Sequence, residues 1–109
     1  MARHKGLEEL LSENLAGVKG LTQKPMFGGL AWLLHGNLLC GSRHDGMLVR
    51  LGKDNDGWAL EIPGIAPMMM NERKMNGWVR ASSDAFGNDA TRRKLLKAAL
   101  EFNQTLPRK

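Results

Sequence analysis

Close-set turn signals constrain this chain more than any other feature. Between Lys24 and Leu51 runs KPMFGGLAWLLHGNLLCGSRHDGMLVRL, in which Gly28-Gly29, Gly36-Asn37 and Asp45-Gly46 break the apolar sequence into short pieces. Pieces this short, bounded by turn residues, suit strands and not helices. LAWLL and LLCGSR flank Gly36-Asn37, which predicts a tight hairpin with Gly at its first central position. Asp45-Gly46 predicts a second. Met47, Val49 and Leu51 would then share one face of the next strand, with Leu48 and Arg50 on the other. The result is three sequential strands in an antiparallel meander.

The flanks change period. Leu7, Leu10, Leu11, Leu15 and Val18 form one stripe of a 3.6-residue helix, with Glu8 and Glu9 in its early turns and Pro25 well beyond its end. KDNDGWALEIPGI suggests a loop or a single helical turn. APMMM and NGWVRAS predict two more strands joined through NERKM. Asn88 or Asp89 can cap a final helix with the stripe Leu95, Leu96, Ala99, Leu100, Phe102 and Leu106, which Pro107 stops. A helix, about five antiparallel strands and a helix predict an α+β fold of two layers, with the N- and C-terminal helices packed on the sheet.

The chain has 109 residues, enough for one domain spanning 1–109. It is 42% apolar and 25% charged, a globular balance that argues against disorder. The single cysteine, Cys40, excludes an internal disulfide and fits a reducing, cytoplasmic compartment. No stretch has the pattern of a signal peptide or the length of a membrane span. The net charge is +5, which admits an anionic partner without showing one.

Each candidate for chemistry has a plainer structural reading. The Gly28-Gly29 pair leads into a strand, whereas a phosphate loop leads into a helix. A bulge or close backbone approach is therefore favoured over anion binding. One cysteine and three histidines do not assemble a zinc site, and Cys40 suits a buried thiol better than a nucleophile. Met68 and Met70 face one way on a strand and Met69 the other, so they do not converge on copper. Asp54, Asp56 and Glu61 show no spacing that forces two carboxylates together. No catalytic residue, metal site or cofactor is expected. In TRRKLLK, the cations Arg92, Arg93 and Lys94 occupy the first turns of a helix, against its dipole, with Lys97 a turn later. These four are read first as a solvated face and second as a basic surface for phosphates or an acidic partner.

The order of KPMFGGLAWLLHGNLLCG, MLVRLG, KMNGWVRA and a terminal helix ending in LPRK resembles the N-terminal domain of the TfoX/Sxy family, over nearly the whole chain. The resemblance implies a two-layer α+β fold similar to secretion-chaperone-like domains. It also implies a link to regulation of natural competence and DNA-uptake genes. Better-known regulators of the family carry a second, C-terminal helical domain, and this chain is read as a stand-alone version. The family supplies no catalytic residues to carry over. The expected function is a bacterial, non-enzymatic module for protein contacts in a regulatory pathway, with a protein partner or a homodimer and no membrane. Two alternatives are nucleic-acid binding through Arg92, Arg93, Lys94 and Lys97, and a small-molecule site at the turn Met26, Phe27, Gly28 and Gly29 with Arg50 as its anion partner. Arg50 is read first as a solvated strand residue or half of a surface ion pair.

Overall fold

The computed structural model describes residues 4–26 and 28–108. In chain order the elements are α1 (Lys5–Asn14), β1 (Leu21–Met26), β2 (Gly29–Leu34), β3 (Asn37–Arg43), β4 (Gly46–Arg50), α2 (Gly57–Leu60), β5 (Ile65–Met70), β6 (Arg73–Ala81), α3 (Ser83–Phe86) and α4 (Asp89–Asn103). The strands form one antiparallel sheet in the order β1-β2-β3-β4-β6-β5. Among the described residues no helix is long and apolar enough to cross a membrane.

The α+β class stands, but the sheet has six strands where the sequence suggested about five. The additional strand is β1, LTQKPM, which contains the Pro25 read only as lying beyond the first helix. Proline lacks an N–H and is confined to places where none is needed. β1 pairs on one side only, at the sheet edge, and Pro25 sits opposite Leu30 without interrupting the register. Two turns are also shifted by one residue. Leu34 pairs with Asn37, so the central residues are His35 and Gly36, both with positive φ, at 51° and 84°. That is the pattern of the hairpin turn that matches strand twist. Likewise Arg43 pairs with Gly46, leaving His44-Asp45 at the tip.

Both long helices start where a side chain supplies the missing acceptor. His4 Nδ1 accepts from the Leu7 N–H at 3.0 Å, and Asn88 Oδ1 accepts from the Thr91 N–H at 3.0 Å. Leu7 and Leu11 of α1, Leu15 just past its end, and Leu95, Leu96 and Ala99 of α4 are buried. They close over Trp32, Leu39, Cys40, Met47, Val49 and Val79 of the sheet. The alternate strand positions build a smaller cluster on the other face: buried Leu48, Met68 and Trp78, with Leu38, Met70 and Met75 packed around them. Met68 and Met70 therefore share a face, while Met69 is 48% exposed.

Candidate functional site

The residues proposed as contacts separate into three places. Met26 pairs with Gly29 at the β1–β2 turn, Gly28 is exposed with φ at 73°, and Phe27 lies outside the described residues. Gly29 is there for space: a Cβ would overlap the carbonyl oxygen of Ser42 on β3. The glycine pair thus serves the backbone, one residue for turn conformation and one for strand approach. Arg50 is not part of this turn. Gly29 borders the row of Arg43 and Gly46, and Arg50 lies four residues farther along β4, about 13 Å away at strand rise.

The basic run of α4 also divides. Arg92 is not a surface cation; it is 5% exposed. Its guanidinium donates to Asn14 Oδ1 at 2.6 Å, the Phe86 carbonyl at 2.8 Å and Asp89 Oδ1 at 2.7 Å. It therefore joins the ends of α1 and α3 to the first turn of α4. Arg93 is exposed and pairs with the other carboxylate oxygen of Asp89 at 2.8 Å. The charge that opposed the helix dipole is offset locally by Asp89, a first-turn anion.

Lys94, Lys97 and Arg50 lie along one side of the domain, around two aromatic rings. Beyond β4 the chain is tied back to β6, because the Leu51 and Gly52 N–H groups both donate to the Gly77 carbonyl, at 2.7 and 3.1 Å. It then turns through Asp54, a non-glycine residue at φ 69°, and enters the single turn of α2. This path sets Trp58 against α4. Lys94 Nζ stands 4.9 Å from the Trp58 ring centre, and the Arg50 guanidinium carbon stands 5.4 Å from that of Phe102. Both are cation–π contacts. Between the two rings lies a cleft of about 500 Å³, floored by Leu51 and Ala98 and edged by Asp54, Asn55, Glu101 and Thr105. A second hollow of about 390 Å³ continues past Trp58 to Lys94, Lys97 and Glu101. Sequence reasoning missed Trp58, Phe102 and Asn55 as a group, because only tertiary contact relates them.

Cys40 is fully buried, and burial pushes its thiol pKa far up, so it is a packed sulfur and not a thiolate nucleophile. Among the described residues no cluster of three or more His, Cys, Asp or Glu could hold a metal ion. The cleft around Trp58 and Phe102 is apolar at its floor, and its surroundings carry charge of both signs, Asp54 and Glu101 on one hand and Lys94 and Lys97 on the other.

One comparison with known proteins gives a match: the model of a family described as the TfoX N-terminal domain matches residues 13–103. Curated proteins and solved structures gave no match.

Proposed function

We propose, from the premise that this chain belongs to the TfoX N-terminal domain family, that it is a non-enzymatic cytoplasmic module that binds another protein in the regulation of competence genes. The observation that carries this reading is the pair of cation–π contacts, Lys94 on Trp58 and Arg50 on Phe102, on either side of one open cleft. Tryptophan and arginine dominate the energetics of protein interfaces, because they combine large contact area with directed polar groups. Lys94 and Lys97 on one side, with Glu101 and Asp54 on the other, favour a segment that carries charges of both signs around an apolar anchor. The side chains with most chemical reach are committed elsewhere: Cys40 to the core and Arg92 to three structural bonds.

The test is photocrosslinking in the native cell, from benzoylphenylalanine placed at Ala98 or Thr105. A discrete protein adduct that disappears in the Lys94→Glu, Lys97→Glu double variant supports the reading. Adducts to nucleic acid, or no protein adduct from either position, overturn it. An adduct with a second copy of the chain identifies a homodimer, which size-exclusion chromatography with light scattering then checks.

A further inference from the structure

A separate cavity of about 540 Å³ lies at the C-terminal end of α4, away from Trp58. Its apolar walls are Val18, Leu34, Leu100 and Leu106. Lys19, His35 and Arg108 stand around it, and no carboxylate is among its lining residues. No ion pair engages Lys19 or Arg108 among the described residues.

Each wall is held in place. The His35 N–H donates to the Gly20 carbonyl at 3.0 Å, and the imidazole packs so closely on Gly20 that a Cβ there would collide with it. Buried Asn37 donates from Nδ2 to the Pro107 carbonyl at 2.8 Å, which fixes the backbone next to Arg108. Asn103, 3% exposed, lines the cavity, and its amide Nδ2 has no hydrogen-bond partner. A buried donor left in this state is costly, and a ligand acceptor would remove the cost.

A helix C-terminus ordinarily repels anions. Here its carbonyls are largely occupied: Leu100 accepts from Gln104, Phe102 from Thr105 and Asn103 from Leu106. The cations around the rim therefore face little opposing charge.

We propose that this cavity binds a small organic anion, a carboxylate carried on a short apolar body. Apolar walls take the body and Lys19 and Arg108 take the carboxylate, while the Asn103 amide, which lies just beneath the cavity surface, joins them once its side chain turns outward. The size suits such a molecule, since ligand pockets generally begin near 300 Å³.

The probes are hexanoate, hexanol and hexylammonium, titrated into the full chain and followed by amide NMR shifts and melting temperature. Hexanoate is expected to give a saturable change at residues 18–19, 34–36 and 103–106, and to raise the melting temperature. It should bind about tenfold more tightly than hexanol, the worth of a charge-assisted hydrogen bond. Lys19→Gln with Arg108→Gln should remove that preference while leaving the fold intact, as both residues are exposed. Equal responses to the three probes, or no saturable response to hexanoate, overturn the proposal. So does a preference that survives the double variant.

Discussion

The guanidinium of Arg92 bonds to Asn14 across 78 residues of chain, Nε to Oδ1 at 2.6 Å, and it does so from a buried position. Arg92→Ala would leave the Asn14 oxygen and the Phe86 carbonyl without their donor. A loss of about 2–4 kcal/mol in unfolding free energy is expected, measured by chemical denaturation. Arg93→Ala, on the exposed side of the same turn, should cost less than about 1 kcal/mol. Equal losses for the two would contradict the assignment of Arg92 to the structure.

The two glycines of the β1–β2 turn should respond differently to alanine. Gly28→Ala meets only an unfavourable φ, with open space around it, and should cost about 1 kcal/mol. Gly29→Ala drives a methyl group into the Ser42 carbonyl and should cost about 2 kcal/mol or more. Thermal melts of the pair check the order.

The β5–β6 turn carries an opposite opportunity. Asn71 and Glu72 both have positive φ, 51° and 65°. Asparagine tolerates this conformation and glutamate does not. Glu72→Gly should therefore stabilise the chain by about 0.5–1 kcal/mol in the same denaturation experiment.

Asp45 gives the acid dependence. Partial burial pushes its carboxyl pKa up, but hydrogen bonds and charge from Arg43, with Arg80 nearby, outweigh this and hold it below the usual value. A group depressed in the folded state adds stability above its unfolded pKa, about 3.9, and loses it as pH falls through the folded pKa. Asp45→Asn should thus cost stability at neutral pH, by less than about 1 kcal/mol because solvent screens the pair. The difference between the two proteins should fade below about pH 4 in a pH series of thermal melts.

What the residues disclosed on their own follows from how local each signal is. The stripes of α1 and α4 and the meander were readable because period and turn chemistry act over a few residues. Arg92 looked like surface because it stands in a charged run. Yet with Leu95, Leu96, Ala99 and Asn103 it falls on the buried stripe of α4, a periodicity that would have placed it inside. β1 was missed because Pro25 is harmless only at an edge, and edges are decided by the whole sheet. The rings of Trp58 and Phe102 are 44 positions apart in number, and no periodicity relates them.

Four of the five strand pairings join neighbours in the chain; the exception is β4 with β6. Hairpins close within about 1–10 μs, so both halves of the sheet can form early. The β4–β6 seam must wait until α2 and β5 have been laid down between them, a loop-closure cost that local pairings avoid. The seam is thus expected to set the folding rate, and to be where the native sheet parts first. Hydrogen exchange would show this as β4 and β6 amides opening together, ahead of those between β2 and β3; the reverse order would exclude it. The Leu51 and Gly52 bonds to Gly77, which close the same seam at its far end, would open in that event. Access to the Trp58 cleft would then be linked in time to the slowest step of assembly.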